Sequence, residues 1–142
     1  MMARGTLTVV DAFTQTLANG THDMDNHEFK IALVSVMPDA TTTVLANEVS
    51  GTGYTAGGLT LTTSWTRSGG VTSWKTSTTA QWTANGAGPD NIVAGVIHNS
   101  SSGNAVVAYV DFTEDGSTPI SLQTGDISWT AGAGTVILTV ST

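Results

Sequence analysis

The chain contains no cysteine and only four basic residues, Arg4, Lys30, Arg67 and Lys75. The absence of cysteine excludes a disulfide framework and thiol chemistry. Four scattered cations are too few for the basic surface that neutralises phosphates, so we expect no nucleic-acid partner. No apolar run is as long as a membrane span and the N-terminus lacks a signal-peptide core, so we also expect no membrane association.

The residues that are present are typical of a small β protein. The chain has 142 residues, of which 39% are hydrophobic and only 11% are charged, with a net charge of −7. This length is enough for one domain with a single core. Threonine recurs through almost every segment, and its β-branched side chain suits strands better than helices.

The segment DAFTQTLANG, residues 11–20, predicts one short N-terminal helix. Phe13 and Leu17 are four positions apart and would share one helix face. Asp11 is placed to cap the start of the helix, and Gly20 follows its end.

Alternating or continuous apolar segments, separated by Gly, Ser, Asn or Pro, make up the rest of the chain. The expected strands lie in EFKIALVSV, LTLTTSW, TTAQWT, NIVAGVIHN, AVVAYVDF, ISLQTGDISW and GTVILTVST. The pair NIVAGVIHN and AVVAYVDF flanks the turn SSSGN and predicts a hairpin in the core. We therefore predict an all-β, single-domain β-sandwich, jelly-roll-like or immunoglobulin-like, with residues 1–10 as an N-terminal arm and 11–142 as the domain.

The stretch SGTGYTAGG, residues 50–58, has four glycines in nine positions. A phosphate-binding loop would open a helix, whereas LTLTTSW after this stretch is a predicted strand. We therefore interpret it as a structural turn with positive-φ glycines and a tyrosine folded over it. The residues of this turn are Gly51, Gly53, Tyr54, Gly57 and Gly58.

Candidate metal and catalytic residues do not reach the spacing that their chemistry needs. His22 to Glu28 offer imidazoles and carboxylates, but a calcium loop and a second zinc-ligand pair are missing, so a polar turn is preferred. In that turn the Asp23 carboxylate would accept backbone N–H groups. His98 is expected in a turn after an apolar strand and lies outside any triad motif. Asp111 with Glu114 and Asp115 could form a glycosidase carboxylate pair, but a solvated hairpin end is the better interpretation, and Asp111 would cap the strand there. We expect no catalytic residue, metal or cofactor.

Four tryptophans raise a binding hypothesis, because exposed indoles stack on sugar rings in carbohydrate-binding modules. Trp65, Trp82 and Trp129 have apolar or Thr neighbours in strand register and are expected in core or subunit packing. Trp74, in GGVTSWKTS, is the one expected to be exposed and available for contact.

The order of these segments resembles a group of small structural proteins of tailed bacteriophages. The likeness covers about residues 11–140 and includes GTHDMDNHEFKIALV, PDA, the G-x-G-Y-x-x-G-G element, NIVAGVIHNSSSGNAVVAYVDF and GDISWTAGAGTVILTV. Residues 67–90 depart from that pattern apart from Trp82-Thr83-Ala84. The resemblance implies a non-enzymatic virion protein made in the cytoplasm of the bacterial host.

The acidic, lysine-poor composition indicates where in a virion such a protein would sit. Its surface repels packaged DNA and suits the outside of the head, so we expect a capsid decoration or cement protein that binds the major capsid protein. A tail or neck component is the first alternative. A glycan-binding module for host attachment is the second, and it depends on Trp74.

We also expect self-association as a homotrimer. Thr-rich strands with little Lys or Glu leave sheet edges poorly protected, and closed symmetry covers such edges. The N-terminal arm is expected to reach a neighbouring subunit or the shell.

Overall fold

The computed structural model of the protein describes residues 5–77, 79–130 and 135–141. Residues 1–4 of the predicted arm, residue 78 of TTAQWT, and residues 131–134 and 142 of the last predicted segments lie outside this range. The described residues form helix α1, Ala12–Ala18, and ten strands. The strands are β1 Leu7–Val9, β2 Phe29–Val34, β3 Leu59–Thr60, β4 Thr63–Ser68, β5 Val71–Thr76, β6 Thr79–Trp82, β7 Ala94–Asn99, β8 Ala105–Asp111, β9 Ile127–Thr130 and β10 Thr135–Ser141.

These strands pair into three antiparallel sheets. The largest has the order β1-β8-β7-β2-β3, the second has the order β10-β5-β4, and β6 pairs with β9. Buried side chains from all three sheets belong to one hydrophobic core. The predicted all-β, sandwich-like single domain with a short N-terminal helix is therefore confirmed.

The centre of the largest sheet is the hairpin of β7 and β8. Every residue of both strands is buried, as expected for strands covered on both faces. Gly103 and Asn104 have positive φ in the turn between them. The predicted core hairpin is confirmed.

Trp74 joins two sheets and is completely buried, so the prediction that it is exposed was wrong. Its ring packs edge-on against Phe29 of β2, with 4.8 Å between the ring centroids. The segment VTSWKT forms β5, in which Trp74 and Thr76 point inward with period two. Threonine at an inward position hid this alternation in the sequence.

The predicted strand LTLTTSW is two strands in different sheets. Leu59 pairs with Ile31 of the largest sheet, whereas Trp65 pairs with Trp74 of the second sheet. Leu61 lies between them and is buried, because the chain crosses from one sheet to the other at this point. Trp65 is half-buried, while Trp82 and Trp129 are in the core as predicted.

The N-terminal segment packs on the hairpin. Residues of β1 pair with β8, Leu7 opposite Val110, so this part of the predicted arm belongs to the chain's own sheet. Helix α1 follows and buries Phe13. The Asp11 side chain makes no capping hydrogen bond, in contrast to the prediction; instead its carbonyl accepts from the Thr14 hydroxyl at 2.7 Å. Within the described ranges, no helix is long and apolar enough to cross a membrane.

Candidate functional site

The segment from Glu48 to Gly58, called the edge loop below, precedes the two-residue strand β3. It runs along the part of the β2 edge that β3 is too short to cover. Glu48 forms a bridge with Val34, and the N–H of Val49 donates to the carbonyl of Leu33 at 3.0 Å. The loop therefore supplies hydrogen bonds that a longer β3 would otherwise make.

Gly58 places the backbone of the edge loop directly against β2. Its φ is +81°, and a Cβ built there would lie 1.8 Å from the carbonyl oxygen of Ile31. No side chain fits at that distance, so only glycine allows this approach. Gly57 also has a positive φ, +89°, but the nearest atoms to its hypothetical Cβ are 3.8 Å away on the flexible Lys30 side chain.

Gly51 and Gly53 have positive φ as well, so all four predicted turn glycines do. The interpretation of this stretch as a backbone turn is confirmed at each of them. A loop of this kind needs glycine for its backbone geometry.

Tyr54 fastens the edge loop to the sheet through its hydroxyl group. The hydroxyl donates to Oε2 of Glu48 at 2.6 Å and accepts from the N–H of Leu33 at 3.0 Å. The same Glu48 oxygen accepts from the N–H of Gly57 at 2.6 Å. Burial, followed by the bond to Glu48, raises the pKa of Tyr54 far above its ordinary value, so the phenol keeps its proton.

His98 completes the network from the opposite side. Its ring is fully buried within β7, so the expectation that His98 lies in a turn was wrong. Its Nε2 atom lies 3.0 Å from the carbonyl oxygen of Gly57. Because a carbonyl only accepts, Nε2 carries the proton. Burial lowers the pKa of His98, partly offset by the Gly57 carbonyl.

Sequence reasoning found the glycines and Tyr54 but missed Glu48 and His98 as their partners. The available signals were weak: a lone acid before a buried valine, and a histidine inside an apolar run. Neither signal indicates a contact with Gly57, since His98 is 41 residues further along the chain.

The carboxylate, phenol and imidazole of this network are groups that acid–base catalysis also uses. Here their described polar contacts join the edge loop to β2 and β7. A cavity of about 220 Å³ lies elsewhere and is lined by residues 36–39, 42, 44–47 and 96. Val36 and Val44 on its wall are 54% and 51% exposed.

A second polar cluster lies in residues 21–28, called the histidine turn below. The Asp23 carboxylate accepts from the backbone N–H groups of Asp25 and Asn26 at 3.1 Å each, which confirms its predicted role in the turn. These bonds, with one from the Asn26 side chain as the largest cause, lower the pKa of Asp23.

The two imidazoles of the histidine turn meet one buried amide, which the sequence analysis did not single out. The Nδ2 atom of Asn99 lies 3.0 Å from Nδ1 of His22 and 2.9 Å from Nδ1 of His27. Over the residues that the structure describes, no three His, Cys, Asp or Glu side chains are grouped for a metal ion.

Asp111 ends β8 as a strand cap. Its Oδ1 atom accepts from the N–H and the hydroxyl of Thr113, at 2.7 and 2.6 Å, and the residue is 1% exposed. The interpretation as a cap is confirmed, whereas the expectation that this hairpin end is solvated was wrong for Asp111, which is buried. Asp115 organises the following turn through the backbone N–H groups of Ser117 and Thr118, and bonds to Thr118 and Ser117 lower its pKa.

No protein-family description matches this chain, and neither does any curated protein or solved structure.

Proposed function

We propose that the protein is a non-enzymatic structural protein of a tailed-phage virion, of the capsid decoration type. The observation that carries this proposal is the role of the G-x-G-Y-x-x-G-G element, the most specific part of the resemblance. Its glycines and Tyr54 close a sheet edge, as a structural element would. The polar groups gathered there, Glu48 and His98, serve the same closure.

The charge of the chain supports an external position. Eleven acidic residues against four basic residues leave a net charge of −7. Such a surface is repelled by packaged DNA and is compatible with the outer face of a shell. A protein that binds only the assembled lattice stabilises that lattice by mass action.

Self-association as a homotrimer is part of the proposal. Strand β4, Thr63–Ser68, pairs with β5 on one side, and no described strand pairs with its other side. Five of its six residues are neutral, with Arg67 as the exception. Such an edge favours pairing with another chain. Light scattering should give three times 14.5 kDa, and the mass of a monomer or dimer would contradict the trimer.

The test of the proposed function is the copy number of the protein in purified virions, measured by quantitative gel or mass spectrometry. Hundreds of copies support decoration of the head, and a few copies support the tail or neck alternative. Absence from the particle contradicts both. The glycan-binding alternative loses its main support, because Trp74 is buried.

Binding to the shell can be tested with a matched pair of surface variants. Val36 and Val44 line the 220 Å³ cavity, whereas Val71, which is 37% exposed, lies on β5. We expect Val36→Thr with Val44→Thr to reduce rebinding to stripped capsids and Val71→Thr to leave it unchanged. Equal rebinding by both would exclude the cavity wall as the contact.

A further inference from the structure

The side-chain amide of Asn99 has a fixed orientation between the two imidazoles of the histidine turn. Asn99 ends β7 and is completely buried. Its Oδ1 atom accepts from the N–H of Ser101 at 3.0 Å, so the Nδ2 end faces His22 and His27. Each of its two N–H groups is therefore available to one ring nitrogen.

The protonation of both rings follows from this orientation. A ring nitrogen that accepts a hydrogen bond carries no proton, so Nδ1 is bare in both rings. His27 Nδ1 also faces the N–H of Asp23 at 3.2 Å. His22 Nε2 lies 3.0 Å from the Thr16 hydroxyl, which itself donates to the Phe13 carbonyl at 3.1 Å. In this arrangement both rings accept at Nδ1 and carry a proton on Nε2.

A proton on either Nδ1 atom would break this arrangement. Two N–H donors would then face each other, and a buried donor without an acceptor is costly. His22 is 6% exposed and lies between the rings of Phe13 and Phe29, at 5.0 and 6.1 Å. Burial, with a smaller effect of His27, lowers the pKa of His22.

The charged groups around the two rings belong to the turn and to the start of β2. The exposed Asp23 carboxylate interacts with His27, and Asp25 is exposed on the same turn. Glu28 is 3.7 Å from Lys30, which balances its charge. The residues of α1 and β7 that contact the rings are uncharged. Asp23 is thus the described carboxylate that interacts with these rings, and it does so at His27 from an exposed position where water screens the attraction. The described hydrogen bonds at the two Nδ1 atoms come from N–H groups and not from carboxylates.

We propose that His22, Asn99 and His27 form a proton-operated latch that holds α1 and the histidine turn on the β7–β8 turn at neutral pH and releases them in mild acid. The other described bonds between the histidine turn and the β7–β8 turn are made by Glu28 at its exposed end. The Ser101 hydroxyl accepts from the N–H of Glu28 at 2.9 Å, and the N–H and hydroxyl of Ser100 donate to the Glu28 carbonyl at 3.0 Å each. The Ser100 hydroxyl also lies 2.8 Å from the Glu28 carboxylate. Water can replace such bonds, so opening is local and the sheets stay folded. The three latch residues belong to one chain, so this proposal does not depend on the proposed virion function.

The test is amide hydrogen exchange of the full chain at pH 7.5 and 5.5, corrected for intrinsic exchange. We expect the protection factors of residues 12–27 to fall at least about tenfold. This is the factor for one imidazole that binds a proton in the open state with the ordinary histidine pKa of about 6.5, because pH 5.5 lies one unit below that value. Amides of the β7–β8 hairpin should remain more protected than those of α1 at both pH values. Unchanged protection of residues 12–27 would overturn the proposal.

The isosteric variant Asn99→Asp reverses the sign of the effect. Its carboxylate would still accept from Ser101 and would also accept from a protonated Nδ1 atom of either ring. We expect protection of residues 12–27 in this variant to be equal or higher at pH 5.5 than at pH 7.5. The measurement includes EDTA, so that a metal held by the new carboxylate cannot produce the result. A tenfold loss like that of the parent would overturn the latch.

A second variant keeps the test decisive if Asn99→Asp does not fold. In His27→Asn, the amide oxygen takes the place of Nδ1 as a non-titrating acceptor. Protection at pH 7.5 should match the parent, and the loss at pH 5.5 should be smaller. In the parent, nitrogen chemical shifts at pH 7.5 should show both rings with the proton on Nε2. A proton on Nδ1 of either ring, or an equal acid loss in His27→Asn, would overturn the proposal.

Discussion

The edge loop and the histidine turn are both irregular segments that imidazoles help to hold, but the imidazoles have opposite roles. At the edge loop, His98 donates from Nε2 to the Gly57 carbonyl, and a protonated ring would still donate. At the histidine turn, His22 and His27 accept through Nδ1, and a protonated ring could not. Whether acid breaks a contact therefore depends on which ring nitrogen makes it.

The two segments also differ in what sets their shape. The edge loop depends on positive-φ glycines and on a phenol that keeps its proton, so His98 is the group of this network through which acid would act, and its Nε2 contact survives protonation. The histidine turn depends on side-chain acceptors, one of which is the His22 ring with its lowered pKa. The first segment is set by backbone geometry and the second by protonation.

The largest expected effect comes from Gly58→Ala, with Gly57→Ala as its matched control. Both positions have positive φ, which costs alanine about 1–2 kcal/mol. Only at Gly58 does the new Cβ overlap the Ile31 carbonyl, so we expect a loss of about 3 kcal/mol or more there. Urea unfolding measures both. Equal losses in the two variants would contradict the close approach.

The next effect is that of Tyr54→Phe. The variant leaves the Leu33 N–H and one Glu48 oxygen without the hydroxyl group, and we expect a loss of about 2 kcal/mol. The loss should be the same at pH 7.5 and 5.5, because the phenol stays protonated. A loss below about 0.5 kcal/mol would mean that water replaces the hydroxyl.

Acid should lower the stability of the whole domain. Burial lowers the pKa of His22 and His98, so the unfolded chain binds more protons below its ordinary histidine pKa of about 6.5. Stability is then lost as pH falls below 6.5, by up to about 1.4 kcal/mol per pH unit for each ring. Urea unfolding from pH 7.5 to 5.5 measures this slope.

His98→Gln separates the two rings. The glutamine amide can donate to the Gly57 carbonyl in place of Nε2 and does not titrate. The slope between pH 6.5 and 5.5 should fall to the part contributed by the histidine turn. An unchanged slope would show that His98 takes no part in the acid response.

The smallest effect is expected for Ser101→Ala, which removes an exposed bond between the histidine turn and the β7–β8 turn. The Ser101 hydroxyl accepts from the Glu28 N–H at 2.9 Å, where water can take its place. We expect a loss of at most about 0.5 kcal/mol and an unchanged dependence on pH. A changed pH dependence would indicate that the acid response depends on this exposed contact and not on the Asn99 amide.

Local sequence was enough to predict the class of fold and the backbone of the edge loop. Continuous apolar runs predicted β7 and β8 because strands covered on both faces have no polar side to alternate with. Gly57 and Gly58 predicted positive φ because other residues adopt it only with strain. These features depend on side-chain polarity and backbone sterics within a few residues.

The tertiary structure decided which segments meet. LTLTTSW alternates as one strand, yet it divides between two sheets, and Trp74 is buried because β5 packs over Phe29. The Asn99 amide reaches His22 from 77 residues away. Local patterns determine which way a side chain points, whereas its contact partner depends on the sheet that its strand joins. Polar atoms that are buried in this way must form hydrogen bonds with one another, and the local sequence does not show which atoms will be neighbours.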